Sequence, residues 1–396
     1  MLNSSSNKSR FLLLFILYGS LFLFGFLENI KGVSFPLIKN EFDVSYETQG
    51  LMISIISISY TVFVIVSGFM VGHFGTKNIF ICGLLCLFLS VLSIYFMPSF
   101  WTVACSQILL FASFGIIDIT TNAIATQIFI KKAALMMNLL HFMYGVGAIA
   151  SPKVAGILVN PGGLGLLWRQ IYLLPIPLVL IIIVLSILAK FPSSVKNEAA
   201  GVKKTSFLTA LKTPSVWAIG ITLGVMVGVE LAFANWGGLY FHDLYGMDPT
   251  TYGANFISAF YILFTLSRLL SGFLIEKIGY MRSLFASSLL STLFFSIGFA
   301  LGGTGIFILP VLGLFLGFTW PTILAVAIGF FGNDAPVMTA AVMAIAGLLN
   351  SGIQLIMGYI NHWIGAGWGF RSCLLFSIII ICLLLGLMRM FKKSET

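Results

Sequence analysis

Twelve times along this 396-residue chain the sequence runs for about twenty positions with almost no charge, the length a helix needs to cross a hydrocarbon layer of about 30 Å. The windows fall at 11–36, 49–72, 78–97, 101–129, 133–159, 170–190, 215–242, 251–275, 283–303, 305–331, 337–360 and 370–390. They read as membrane helices, and the chain as an all-α membrane protein. Hydrophobic residues reach 59%, and 21 basic and 12 acidic side chains are too few to cover a water-soluble surface. Soluble enzymes and nucleic-acid-binding proteins are thereby set aside. The first window carries Glu28 and Lys31 and precedes no small-residue cleavage site, so it is expected to remain as a helix. Five cysteines, Cys82, Cys86, Cys105, Cys373 and Cys382, lie scattered in apolar stretches without paired spacing, which points to neither a disulfide framework nor a metal site.

The net charge of +9 is a matter of sidedness. With the N-terminus placed in the cytoplasm, fifteen Lys and Arg fall in inner segments, and only Lys39, Arg169 and Arg371 fall in outer ones. That bias places both termini inside. Residues 191–214, polar, basic and rich in small side chains, read as a cytoplasmic linker between a half at 1–190 and a half at 215–396. Phe207, Leu208 and Leu211 in this linker suit a short amphipathic piece on the membrane surface.

The halves echo each other. Gly68-Phe-Met-Val-Gly72-His73-Phe-Gly75-Thr-Lys77 follows the second window, and Gly272-Phe-Leu-Ile-Glu276-Lys277-Ile-Gly279, with Arg282 beyond, follows the eighth, 204 positions later. Transporters built on such parallel repeats hold their substrate near the midplane between the halves. Twelve spans, a six-plus-six duplication, a basic central loop and this G-x-x-x-(acid)-(basic)-x-G element resemble the major facilitator superfamily over essentially the whole chain. The first copy departs from the pattern, with Gly72 where the family usually has Asp and His73 where it usually has Arg. The resemblance implies a cytoplasmic gating latch at Gly68, Gly75, Lys77, Gly272, Glu276 and Arg282. Two tight glycine turns would account for the same glycines.

Six formal charges remain inside the windows: Glu28, Lys31, Asp118, Lys153, Glu230 and Arg268. Each costs at least about 2.5–3.5 kcal/mol at a helix centre, so each marks a pathway or a partner. Glu28 and Lys31, three apart on one face, either pair with one another or line a cavity, and Lys31 can also snorkel to the outer interface. Asp118 sits mid-span with Thr121 and Asn122 one turn on, a constellation able to bind hydroxyl groups and carry a proton; a structural acid is the alternative. Glu230, Asn235 and Trp236 offer an acid, an amide and an indole, which suit a sugar. Asn138 and His141 share a stripe of the fifth span, where His141 is either a proton relay or a structural histidine. Lys153 is placed to pair with Glu28 or Asp118, and Arg268 to brace the cytoplasmic gate. Trp320 and Pro321 centre the tenth span, where proline frees a backbone carbonyl and implies a kink. Asn350 and Gln354, four apart, complete either a polar wall or a helix-to-helix hydrogen bond.

Within the superfamily the chain is similar to the fucose permease and glucose/mannose:proton symporter group. The residues that carry this are Gly115-x-x-Asp118-x-x-x-Asn122, Asn138-x-x-His141-x-x-Tyr144-Gly145-x-Gly147-Ala148, Trp168-Arg169-x-x-Tyr172, Glu230 with Trp236, and Gly317-x-x-Trp320-Pro321-Thr322. The resemblance implies twelve transmembrane helices in two six-helix halves and a proton-coupling role for Asp118; Glu28, as an intramembrane acid, is also expected to take part in proton coupling. The family's own second acid lies late in the first helix, where this chain has Lys31 and Gly32. The expected function is secondary active transport of a small polyhydroxylated solute, a hexose first, across the cell membrane by alternating access with proton symport. Asp118, Asn122, Asn138, His141, Glu230, Asn235, Trp236, Trp320, Asn350 and Gln354 are its expected substrate contacts. No cofactor beyond the coupled proton, no metal and no nucleic acid is expected, and the chain is expected to act as a monomer in the bilayer. Two alternatives stay open: a proton-driven exporter of an amphipathic drug or metabolite, with 38 Phe and 15 Met lining a greasy cavity, and a transporter-like sensor that does not transport.

Overall fold

The computed structural model describes residues 7–129, 133–192 and 206–394. Among these residues all regular structure is helical. Twelve helices are long and apolar enough to cross a membrane: α1 (Arg10–Glu41), α2 (Tyr46–Phe74), α3 (Thr76–Phe96), α4 (Phe100–Ile128), α5 (Leu139–Val159), α6 (Trp168–Leu188), α7 (Pro214–Tyr245), α8 (Pro249–Gly272), α9 (Tyr280–Ala300), α10 (Gly302–Phe331), α11 (Ala335–Trp363) and α12 (Trp368–Lys392). Each coincides with one apolar window, and several run on past it. Hydropathy marks the lipid-buried length, whereas the backbone ladder continues into polar residues such as Lys39 and Glu41.

The chain packs as two compact units, one of residues 1–42 and 58–199 and the other of residues 43–57 and 200–396. In the first, α1 lies against α5 through two glycines: a Cβ on Gly25 would strike the carbonyl of Tyr144, and one on Gly147 the carbonyl of Phe22. In the second, α7 presents Gly220, Gly224 and Gly228, one per turn, to Ile345, Leu349 and Ile353 of α11. Hydrophobic burial does not drive helices together in lipid, so close backbone packing of this kind supplies the association. Residues 43–57 join the second unit because Gly50 meets Gly358 backbone to backbone, and the Tyr46 hydroxyl donates to Asp243 Oδ2 at 2.5 Å. The lipid-facing surface shows in α6, where Leu180, Ile181, Val184, Ile187 and Leu188 are exposed.

The duplication recurs in backbone geometry. α3 and α9 both have 21 residues. Each is entered through a glycine, Gly75 at φ 80° and ψ 149° and Gly279 at φ 92° and ψ 149°, a conformation essentially reserved for glycine. Several helices are irregular within the described spans, and three of these irregularities lie near the residues of interest. α1 turns at Ile30, α7 carries a π-bulge at Phe233–Gly237, and α10 breaks between Leu312–Leu316 and Thr319–Phe331.

Candidate functional site

In the first unit Gly115 of α4 lets α2 come close: a Cβ there would sit 2.6 Å from the Tyr60 carbonyl and 2.9 Å from the Val64 nitrogen. That approach delivers the Tyr60 hydroxyl to Asp118 Oδ2, to which it donates at 2.8 Å. Asn122, one turn on, donates its amide to Asp118 Oδ1 and to the Asp118 carbonyl, both at 2.9 Å. The carboxyl is thus oriented by one hydroxyl and one amide, both neutral donors. Thr121, on the same turn, is fully buried and its hydroxyl has no hydrogen-bond partner.

Glu28 of α1 lies beside this group. Tyr144 of α5 donates to Glu28 Oε2 at 2.7 Å, and Lys31 Nζ stands 3.6 Å from Glu28 Oε1. Lys31 is 3% exposed and lies 5.3 Å from the centre of the Phe111 ring. Snorkelling to an interface is therefore replaced by an internal ion pair. Phe24 packs among these groups, stacked on Phe114 at 4.6 Å and edge-on to Tyr144 at 5.2 Å. The Phe24 ring also lies 6.1 Å from that of Tyr60, so the tyrosines that hold the two acids pack against one ring. His141 is half-buried one turn before Tyr144, Lys153 is exposed, and the side chain of Asn138 lies outside the described residues.

In the second unit the polar residues of α7 and α11 knit into a closed network. Gln354 Oε1 accepts from Asn235 Nδ2 and Trp236 Nε1, each at 3.0 Å, and Gln354 Nε2 donates to the Gly228 carbonyl at 3.0 Å and to Asn350 Oδ1 at 3.2 Å. The amide is fully buried and has spent both lone pairs and both protons. Trp236 is likewise enclosed with its N–H engaged. This network holds the π-bulge of α7 against α11, and π-bulges of this kind recur at functional sites. One atom of it stays unpaired, Asn235 Oδ1. Glu230, one turn before the bulge, and Trp320 on α10 are half-buried.

The α10 break is built from side chains of α8 and α9. Pro321 has no N–H for the carbonyl of Gly317, four residues back, and Arg268 Nε donates to that carbonyl at 3.0 Å. Ser267 donates to the Leu314 carbonyl at 2.7 Å and Ser287 to the Phe315 carbonyl at 2.6 Å. Arg268, with Phe264 beneath its guanidinium at 4.4 Å, thus braces α10. Gly75, one of the residues expected to gate, and Gly279, its counterpart in the second copy, are turn glycines by their dihedrals. Gly68 and Gly272 are exposed within helices, with nothing for a Cβ to strike, so the turn alternative does not explain them. Glu276 and Arg282 are exposed, and Lys77 donates to the Ile187 and Ala189 carbonyls at 2.7 and 2.8 Å, capping the end of α6.

The major facilitator superfamily model matches residues 17–336. The chain belongs to the major facilitator superfamily. Among solved structures, the E. coli fucose:proton symporter FucP shares 19% identity over 95% of this chain and 98% of that one, with a TM-score of 0.65. The nucleoside transporter NupG shares 15% over 97% and 99%, with a TM-score of 0.73. At such identities the likeness establishes the fold. This major facilitator protein is accordingly a multi-pass membrane transporter and not an enzyme.

Several residues of this superfamily member went unmarked in the sequence. Tyr60 is one tyrosine in an apolar run, and only the helix crossing at Gly115 gives it a role. Tyr46, Asp243, Glu47 and His362 lie at helix ends, where polar residues are unremarkable, yet Tyr46 bonds Asp243 and His362 Nε2 stands 3.9 Å from Glu47. The Trp168-Arg169-x-x-Tyr172 segment anchors α1: Arg169 and Trp168 both donate to the Glu41 carboxylate, and the Tyr172 hydroxyl is bonded by Ser34 and Gln107 at 2.9 and 3.0 Å.

Proposed function

We propose that this major facilitator protein carries a small polyhydroxylated solute, a hexose in the first instance, together with a proton. The observation that carries the reading is Asp118, a carboxyl inside the bilayer length held by Tyr60 and Asn122. A buried acid has reason to persist in lipid where its charge is used, and a carboxyl held by neutral donors can accept a proton and present lone pairs to solute hydroxyls. Asn122 supplies the adjoining amide, and His141 lies on the same unit. On the second unit, Glu230 and the indole of Trp320 are the candidate solute contacts. Trp236, Asn350 and Gln354 act one step back, by fixing the bulge on which Asn235 rides. Gly68 and Gly272 serve the gate. FucP is a fucose:proton symporter and NupG a nucleoside transporter, so a ribose-bearing solute is the second reading.

The test is uptake into liposomes containing the purified protein, with labelled hexoses and nucleosides offered with and without an inward proton gradient. We expect at least one hexose to enter faster under the gradient, and Asp118→Asn to abolish that stimulation. Stimulated entry of nucleosides alone moves the solute assignment to the second reading. Gradient-indifferent uptake would remove proton coupling.

A further inference from the structure

Glu28 and Asp118 are each held by a tyrosine that packs against Phe24, yet their other partners differ in kind. Asp118 is held by a phenol and an amide, both neutral. Glu28 is held by a phenol and by the ammonium of Lys31, three residues on along the same helix. Both members of that pair are buried, with Glu28 9% and Lys31 3% exposed. An ammonium and a carboxylate this deep keep their charges only by keeping each other, since removing either partner strands an uncompensated charge. Two further contacts hold the pair in place. The Phe111 ring offers its face to the Lys31 cation at 5.3 Å, and the Tyr144 hydroxyl donates to Glu28 at 2.7 Å. The turn in α1 at Ile30 falls between the two residues, so the pair also bridges the break in its own helix.

We infer that Lys31 is a built-in counter-cation for Glu28, and that Asp118, held by neutral donors alone, is the acid that takes up and releases the transported proton. Lys31 is a positioning residue in this scheme and touches neither solute nor proton. The groups that face Glu28 are Lys31 on its own helix, Tyr144 on α5, Tyr60 on α2 and Asp118 on α4. Among them Lys31 is the cation. The consequence is one acid in this cluster exchanging protons per cycle rather than two. The inference rests on the reading of Asp118 as proton carrier.

Protonation can be read without knowing the solute, from the carboxylic C=O stretch in infrared difference spectra of the full-length protein in liposomes as bulk pH is stepped. Wild type is expected to show a titrating band that Asp118→Asn removes and Glu28→Gln leaves intact. Lys31→Met is expected to add a second titrating band, which the double variant Lys31→Met/Glu28→Gln lacks. Loss of a wild-type titrating band in Glu28→Gln overturns the inference, as does a Lys31→Met spectrum identical to wild type. If Lys31→Met does not fold, the Glu28→Gln spectrum still decides. A band unaffected by Asp118→Asn is a different failure, because it removes the proton-carrier reading itself.

Discussion

An intramembrane charge is legible in a sequence because it is out of place, and Asp118, Glu28 and Lys31 stood out for that reason alone. Their partners were not legible. Tyr60 and Phe24 are ordinary residues of apolar helices, and only a glycine crossing or a ring stack places them. The partners of Trp236 and Gln354 were equally hidden. An indole and an amide in a membrane span suit a sugar, but here each has its hydrogen-bonding capacity taken up by the other and by neighbours. The amide network therefore predicts a stability effect. Gln354→Leu strands the Asn235 and Trp236 side-chain N–H groups and the Asn350 amide oxygen, at roughly 1–3 kcal/mol for each buried group left unpaired. Thermal unfolding of the purified protein without solute should fall by many degrees. An unchanged unfolding temperature with a raised half-saturating solute concentration would return Gln354 to the solute site.

At the scale of the element, every span was readable from its apolar length, and the kink of α10 from its proline. What satisfied the freed carbonyl was not readable, because Arg268 is 49 residues from Gly317 and reaches it through packing. Arg268→Met leaves that carbonyl unpaired, at a cost of about 1–3 kcal/mol. Pro321→Ala restores an N–H four residues after Gly317. The combined variant should therefore lose less stability than Arg268→Met alone, a coupling measured by thermal unfolding of all three proteins. Strictly additive losses would mean that Arg268 supports α10 in some other way. The amide network of α7 and the arginine of α8 solve the same problem, a helix interrupted where no water can repair it.

For the whole molecule, a duplication offset of 204 residues was visible in two glycine-rich loops, and it returns as two 21-residue helices entered through glycines of matching dihedrals. The glycines separate by role. Gly75→Ala and Gly279→Ala force a side chain into backbone space that only glycine occupies comfortably, at about 1–3 kcal/mol each, and should lower the unfolding temperature. Gly68→Ala and Gly272→Ala meet open space within helices, so stability should hold or rise slightly while the transport rate falls if these positions serve the gate. An equal loss of stability at all four would leave the gate without support. The central claim, a solute moving with a proton taken up at Asp118, is tested most directly by a pH-sensitive dye trapped inside liposomes containing the protein. A transported hexose is added outside with no imposed pH gradient. The account predicts that the interior acidifies as solute enters through the wild type. Asp118→Asn should give no acidification while it still exchanges labelled for unlabelled solute. Entry without acidification in the wild type, or acidification that persists in Asp118→Asn, would contradict it.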